Sequence, residues 1–231
     1  MQRRSSHLKS IELVARRLSS LNTSVVFTGG AIVGLLLTDP AAPDVRPTDD
    51  VDVIVGITTY VAYASLASDL RMLGFEHDLD GPNCRFIVDG LTVDIMPIDG
   101  DILGFTNRWY ELAVQCPCDF LLPGGDSIRV ISAPIFVATK LEAFHDRGQC
   151  DFVMSHDIED VIAVVDGREE LLEEIGASEL SVRQYICDCF ANFLSDRDFV
   201  DALSMHLLPD AVSQSRAGII LDRIRAIAAI Y

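Results

Sequence analysis

Residues 50–56, DVDVIVG, constrain the fold more than any other stretch of the chain. Their apolar residues are β-branched, which is typical of a buried β-strand. Side chains alternate between the two faces of a strand, so Asp50 and Asp52 share one face while Val51 and Val53 share the other. Two neighbouring carboxylates repel each other unless a cation offsets their charge. The pattern therefore predicts a strand that carries a cation site.

A third aspartate lies in a comparable apolar setting further along the chain. Asp94 stands inside LTVDIMPID, and an Asp-Gly pair at residues 89–90 separates this segment from CRFIV. Two apolar runs joined by Asp-Gly are typical of an antiparallel hairpin. If this hairpin lies beside the first strand, Asp94 joins Asp50 and Asp52. Mg2+ prefers carboxylate oxygens and shares its other positions with water and phosphates, so the three residues predict a metal site.

An interpretation without a cation is also open. Asp49 and Asp50 are then solvated loop residues, while Asp52 and Asp94 are charges that keep an edge strand from aggregating. Under the metal interpretation Asp49 is an extra acid beside the pair. The strand phasing selects Asp50 and Asp52, so we expect Asp49 to face away from them.

A glycine turn precedes this region. VVFT at residues 25–28 ends in Gly29 and Gly30 and is followed by AIVGLLL, an order typical of strand, tight turn and helix. The small residues Gly29, Gly30 and Ala31 allow close approach, and a helix N-terminus presents free N–H groups to an anion. Glycines that only make a turn are the alternative. The turn therefore indicates phosphate binding only in combination with the aspartates.

The remaining periodicity predicts an α+β fold. A small mixed or antiparallel sheet flanked by helices is expected in residues 1–133, and a C-terminal helical region in residues 134–231. Pro134 is placed at the start of a helix, where its missing N–H costs nothing. A second hairpin is expected around residues 124–125. Helices are predicted at 7–21, 58–75, 134–148, 156–175, 179–207 with a break, and 212–230.

Composition narrows the setting. A formal net charge of −17 excludes broad, non-specific binding to nucleic acid, because phosphate neutralisation needs clustered Lys and Arg. The six cysteines are expected to be reduced thiols, since a chain of this length has no need of disulfides. The apolar runs are too short to span a bilayer and the first ten residues do not resemble a signal peptide. A cytoplasmic location without membrane association is expected.

These elements together resemble a known superfamily. The order strand, Gly-Gly, helix, D-h-D strand and a later aspartate strand is similar to the nucleotidyltransferases of the DNA polymerase β type, whose motif is hG[GS] followed by Dh[DE]h. The chain has Gly30 where that motif also allows Ser, so backbone N–H groups must replace a hydroxyl contact to phosphate. The matching segments are TGGAI at 28–32, RPTDDVDVIV at 46–55 and TVDIM at 92–96.

A longer pattern narrows the resemblance. The run R-x-T-x-D-h-D, followed by K-L-x-A-x-x-x-R and then D-x-x-D, is similar to the AbiEii-type toxin nucleotidyltransferases of bacterial abortive-infection and toxin–antitoxin systems. The similarity covers residues 25–166 and leaves the later helices unassigned. The residues that carry it are Arg46, Thr48, Asp50, Asp52, Lys140, Leu141, Ala143, Arg147, Asp157 and Asp160.

The resemblance implies roles for the first half of the chain. Asp50 and Asp52 would hold a Mg2+ that bridges a nucleoside triphosphate, and Asp94 would complete a second metal site and help to deprotonate the acceptor. In-line displacement at the α-phosphate is the two-metal reaction, in which one ion activates the nucleophile and the other stabilises the pyrophosphate. The nucleotide-contacting residues implied here are Gly29, Gly30, Ala31 and Thr48.

Two cations are implied in the second half. Lys140 and Arg147 are seven residues apart on one predicted helix, so they share a face. The resemblance implies that both bind the nucleotide and that Lys140 is also catalytic. A solvated surface pair, or Lys140 paired with Glu142 or Asp146, is the alternative.

The D-x-x-D pair is the last motif. Asp157 follows Ser155 in the first turn of a predicted helix, where the helix dipole alone favours an acid. Asp160 lies one turn further on the same face and has no such explanation. The resemblance implies that Asp157 contacts the nucleotide or orients the lysine, and that Asp160 is catalytic.

The expected function is a Mg2+-dependent transfer of a nucleoside monophosphate from a triphosphate to an acceptor. The resemblance implies an RNA acceptor such as tRNA, or a protein, and a toxin with a cognate antitoxin. The acidity of the chain keeps a small-molecule acceptor open, as in antibiotic-modifying enzymes with the same core motif. A non-catalytic partner-binding protein of this fold and an unrelated metal-dependent enzyme such as a phosphatase also remain open.

Overall fold

The computed structural model describes residues 2–147 and 151–230. These divide into two compact units. The sheet unit contains the chain up to Gly34 together with Arg46–Ser132, and the helical unit contains Leu35–Val45 together with the chain from Ala133. The segment Leu35–Val45 therefore belongs with helices that lie about a hundred residues further along the sequence.

A seven-stranded mixed sheet forms the sheet unit. Its strands are β1 Val25–Thr28, β2 Asp50–Val55, β3 Glu76–His77, β4 Arg85–Val88, β5 Leu91–Pro97, β6 Cys118–Leu121 and β7 Ser127–Val130. Their order across the sheet is β3-β4-β5-β2-β1-β7-β6. The central strand, β2, pairs antiparallel with β1 and parallel with β5. The pairs β4–β5 and β6–β7 are antiparallel hairpins.

The central strands carry the core of this unit. Val51, Val53 and Ile54 of β2 are at most 1% exposed, and Val93 and Ile95 of β5 are equally buried. Burial on both faces of a sheet accounts for the nearly continuous apolar runs in these strands. The helices of this unit are α1 Gln2–Leu18, α3 Tyr60–Met72, α4 Gly100–Leu103 and α5 Tyr110–Gln115. The predicted mixed sheet flanked by helices is confirmed.

The turn after β1 is shorter than expected. Residues Gly30–Ile32 form one 3-10 turn and Val33–Leu36 form a single helical turn, α2, rather than the longer helix predicted from AIVGLLL. The Asp89-Gly90 turn has positive φ at both residues, 49° and 79°, as a two-residue hairpin turn requires.

Six α-helices form the described part of the helical unit. Four phenylalanines pack at its centre, and the ring centroids of Phe152 and Phe193 are 5.1 Å apart while those of Phe193 and Phe199 are 5.0 Å apart. The helices are α6 Ala133–Asp146, α7 His156–Gly167, α8 Leu171–Ala177, α9 Leu180–Ser195, α10 Arg197–Ala202 and α11 Ala211–Ala228. Among the described residues, no helix is long and apolar enough to cross a membrane.

Polar contacts attach Leu35–Val45 to these helices. The buried Asp166 accepts from Arg216, which also pairs with Asp39 at 3.0 Å. Arg168 donates to the Leu36 carbonyl and to Glu174. The single helix predicted over residues 156–175 is wrong, because the backbone is extended at Arg168 and the chain starts a new helix at Leu171.

Candidate active site

The three predicted metal aspartates lie together in the sheet unit. Parallel pairing of β2 with β5 places Asp52 directly beside Asp94, and Asp50 lies two residues along the same face. One carboxylate oxygen from each of the three residues lies within 4.8 Å of the others. Asp49 precedes the strand and is exposed. We refer to Asp50, Asp52 and Asp94 as the aspartate cluster.

Thr48 supports the first member of the cluster. Its hydroxyl group is hydrogen-bonded to the Asp50 carboxylate, and its backbone N–H donates to Nε2 of His7 at 3.3 Å. His7 is only 7% exposed and belongs to α1, so this helix holds the segment before β2 in place. The sequence pattern predicts Thr48 in the site but gives no signal for His7, because nothing in the sequence links residues 41 positions apart.

The glycine turn lies directly against the second member. Gly29 has φ 75° and ψ −171°, a region essentially restricted to glycine. A Cβ atom at this position would lie 1.7 Å from Oδ2 of Asp52, so a side chain and the carboxylate cannot occupy the space together. Gly30 and Ala31 follow in the buried 3-10 turn. The predicted glycine turn and the predicted metal strand therefore meet at Asp52.

Arg85 holds the third member and was not predicted. Its Nε and Nη2 atoms donate to the two carboxylate oxygens of Asp94, each at 2.8 Å. The hydrogen bond to Asp94 raises the pKa of Arg85, as does the negative charge of Asp50, so the guanidinium stays charged. A sequence signal for this contact exists: counting outward from the two-residue Asp89-Gly90 turn places Arg85 opposite Asp94.

Two neutral groups lie near the buried side of the cluster. Burial, together with the negative charge of Asp94, raises the pKa of the Cys84 thiol to about 11. Burial also raises the pKa of Tyr63, whose hydroxyl donates to the Ile95 carbonyl at 2.9 Å. Both groups remain protonated at neutral pH, so they add no charge to the cluster.

The donor chemistry of the cluster fits a divalent cation. Three carboxylates within ligand-sharing distance are oxygen donors of the type that Mg2+ selects. Asp94 already has one counter-charge in Arg85, whereas Asp50 is hydrogen-bonded to a neutral hydroxyl group. Asp94 is thus a member of the cluster whose charge is already offset by a cation.

The other predicted residues lie together in the helical unit. Nζ of Lys140 is 3.2 Å from Asp157 and 2.7 Å from Asp160, and Arg147 reaches the second oxygen of Asp157 at 2.9 Å. The side chains of both aspartates are at most 3% exposed and that of Lys140 is 13% exposed, whereas Arg147 is 70% exposed. Lys140 is therefore held inside an ion cluster with the D-x-x-D pair, and Arg147 presents most of its side chain to solvent.

Comparisons with known proteins are limited to solved structures. No family model matches the chain, and no curated protein matches it. One similar structure is that of an antigenic nucleotidyltransferase-like protein from Paracoccidioides brasiliensis, which is 19% identical with a TM-score of 0.48. The match covers 85% of this chain and 90% of that protein's chain. Another is the antibiotic-resistance factor ANT(2'')-Ia, which is 14% identical with a TM-score of 0.49, and the match covers 83% of this chain and 95% of that one.

Proposed function

We propose that this protein is a Mg2+-dependent nucleotidyltransferase that moves a nucleoside monophosphate from a triphosphate to an acceptor and releases pyrophosphate. The observation that supports it best is the aspartate cluster, in which Gly29 packs against Asp52 with no room for a side chain. Carboxylates that would hold a cation therefore lie beside a turn whose small residues admit a phosphate group.

The residues of the sheet unit bind the cation, bind the phosphates and accept the proton in this proposal. Asp50 and Asp52 hold the cation, and the backbone of Gly29, Gly30 and Ala31 binds the phosphates, with Thr48 keeping Asp50 oriented. Bound Mg2+ supplies charge neutralisation on the phosphates and lowers the pKa of the acceptor hydroxyl. The acceptor oxygen bonds to the α-phosphorus as the bond to pyrophosphate breaks. The acceptor proton passes to a carboxylate oxygen of Asp94.

The helical unit carries the two cations of the sequence pattern, Lys140 and Arg147. Arg147 is the phosphate-binding residue in this proposal, because its side chain is 70% exposed while Asp157 binds one of its nitrogens. Asp157 and Asp160 hold Lys140 in one position through two contacts. Because its side chain is already ordered, Lys140 loses little entropy when it meets a further anion.

The class of acceptor is proposed from the sequence pattern and the net charge. The AbiEii-like pattern favours RNA, such as a tRNA end, or a protein, and a toxin role with a cognate antitoxin. One observation favours a second candidate, a small-molecule acceptor: a net charge of −17 opposes a broad RNA footprint.

Transfer of label tests the proposal. The protein is incubated with each α-32P-labelled triphosphate, Mg2+ and, in turn, tRNA, protein extract or aminoglycoside, and the labelled product is identified. We expect Asp52→Ala to abolish the label. Asp49→Ala removes the same charge one position outside the strand and is expected to retain it.

Each outcome separates the alternatives. The class of labelled acceptor distinguishes the RNA or protein acceptor from the small-molecule acceptor. Label that survives Asp52→Ala contradicts the proposed site. Release of inorganic phosphate instead of pyrophosphate indicates the phosphatase alternative. If no acceptor is labelled and the protein binds a partner without metal, the non-catalytic partner-binding alternative is indicated.

A further inference from the structure

Arg85 donates a hydrogen bond to each carboxylate oxygen of Asp94, a proposed metal ligand. The Arg85–Asp94 pair is bidentate, with both donor–acceptor distances at 2.8 Å, and directly opposite residues of the β4–β5 hairpin form it. Bidentate contacts between a guanidinium and a carboxylate are roughly twice as strong as neutral hydrogen bonds and fix the geometry of both groups. Hairpin register, rather than a chance rotamer, brings the guanidinium to this carboxylate.

This contact changes what the cluster can bind. Carboxylate oxygens that accept hydrogen bonds from a guanidinium are poorer ligands for a metal cation, because each oxygen has one lone pair already engaged and the two positive charges repel each other. The side chain of Asp94 is 12% exposed and that of Arg85 is 30% exposed, so the pair lies close enough to the surface for the arginine to leave without unpacking the core. The Asp50 carboxylate is instead hydrogen-bonded to the neutral hydroxyl group of Thr48.

We propose that Arg85 is a positioning residue that acts as an internal counter-cation for Asp94 and limits the nucleotide-free cluster to one tightly bound divalent cation. That cation is held by Asp50 and Asp52. A second divalent cation gains Asp94 as a ligand only when the guanidinium moves away. This inference rests on the proposed function for its context, but it concerns metal binding alone and is measured without nucleotide or acceptor.

Mn2+ titration of the full chain tests it. Free Mn2+ is followed by its EPR signal in the absence of nucleotide, for the wild type and for Arg85→Gln. We expect one tight site in the wild type. In Arg85→Gln we expect a second site, tightened about tenfold or more, which is the effect that one opposite charge commonly has on a carboxylate's affinity for a proton.

A matched control exists in the same unit. Arg17 pairs with Asp89 at 2.7 Å, so Arg17→Gln removes the same charge from an arginine–carboxylate pair outside the cluster. We expect Arg17→Gln to bind Mn2+ as the wild type does. Equal tightening in both variants would mean that overall charge, not the Asp94 contact, sets the affinity, and would overturn the proposal.

Folding is checked in the same samples by circular dichroism and thermal melting. We expect Mn2+ to raise the melting temperature of Arg85→Gln more than that of the wild type, because the cation replaces the lost partner of Asp94. A purely structural arginine would lower the melting temperature without changing the Mn2+ stoichiometry, and that result would also overturn the proposal. If Arg85→Gln does not fold, Arg85→Met replaces it, since methionine also removes the charge and keeps an unbranched side chain. The same second Mn2+ site is expected in that variant, and its absence would overturn the proposal.

The outcomes distinguish this inference from the proposed function. Mn2+ binding that is the same in wild type and Arg85→Gln overturns the role of Arg85 and leaves the transfer reaction standing. No Mn2+ binding by either protein removes the metal site, and with it both proposals.

Discussion

At the scale of single residues, the site depends on an absent side chain. Gly29 adopts a backbone conformation that glycine alone tolerates well, and the space where its Cβ would lie is filled by the Asp52 carboxylate. The same residue therefore allows the turn and fixes the position of a proposed metal ligand. Asp52 in turn lies beside Asp94 because β2 and β5 pair in parallel register.

Replacing this glycine separates the two effects. Gly29→Ala introduces backbone strain of about 1–3 kcal/mol and also displaces the Asp52 carboxylate. We expect it to weaken Mn2+ binding about 10- to 100-fold, the usual cost of disturbing a residue that orients a metal ligand. The measurements are Mn2+ titration and urea unfolding.

Gly90→Ala is the control for strain. Gly90 also has a positive φ, 79°, but nothing lies within 4 Å of a Cβ at that position. We expect it to lose a similar free energy of unfolding while retaining Mn2+ affinity. Loss of Mn2+ affinity in both variants would show that strain anywhere in the sheet unit disturbs the cluster, which contradicts a direct role for Gly29.

The proposed metal residues could be predicted from the sequence because their pattern is local. Asp50 and Asp52 are set by strand phasing, and Asp94 by its position in an Asp-Gly hairpin. The contacts of His7 and Arg85 depend on which elements become neighbours. Arg85 could have been found by extending the hairpin register, whereas the contact of His7 with Thr48 requires the packing of α1, which no periodicity reports.

At the scale of elements, α6 and α7 are joined by a buried ion cluster. Lys140 on α6 contacts Asp157 and Asp160 on α7, and both aspartate side chains are at most 3% exposed. Removing the lysine leaves two buried carboxylates without their main cation. Such a loss is far more costly than the pair itself is stabilising.

Two substitutions, one on α6 and one directly after its end, distinguish structural from nucleotide-binding roles. We expect Lys140→Met to lower the free energy of unfolding by about 3–5 kcal/mol, since it strands buried charges. Arg147→Gln is expected to cost about 0–1 kcal/mol, because that side chain is 70% exposed. Urea unfolding measures both.

Arg147 is expected to affect nucleotide binding rather than stability. Arg147→Gln is expected to raise the KM for the triphosphate with kcat nearly unchanged, as the loss of a ground-state phosphate contact does. An unchanged KM in a folded Arg147→Gln variant would contradict the proposed phosphate contact and leave Arg147 as a surface partner of Asp157.

Most long elements were predictable, because a run of β-branched residues or a helical period is a strong local signal. β2, the β4–β5 hairpin, α6 and α9 follow from such runs. The two-residue strand β3 and the four-residue helix α4 were missed, since elements this short carry no periodicity. The break between α7 and α8 was missed because tertiary contacts of Arg168, not its intrinsic propensity, end the first helix.

At the scale of the whole molecule, the dominant quantity is a net charge of −17. Self-repulsion of this size destabilises a compact state, and salt reduces it by shortening the Debye length from about 30 Å at 0.01 M to about 8 Å at 0.15 M. Any salt therefore stabilises the protein to some extent. A site-bound divalent cation must be recognised above this background.

Thermal melting at matched ionic strength makes that distinction. We expect MgCl2 to raise the melting temperature more than NaCl does, since a cation at ten times its Kd adds about 1.4 kcal/mol to the stability of the folded state. The Asp50→Asn/Asp52→Asn double variant is expected to lose this excess. It is also expected to melt above the wild type without divalent cations, because two adjacent like charges are gone. Asp49→Asn should keep the full Mg2+ excess, and the same excess in the double variant would place the bound cation outside the aspartate cluster.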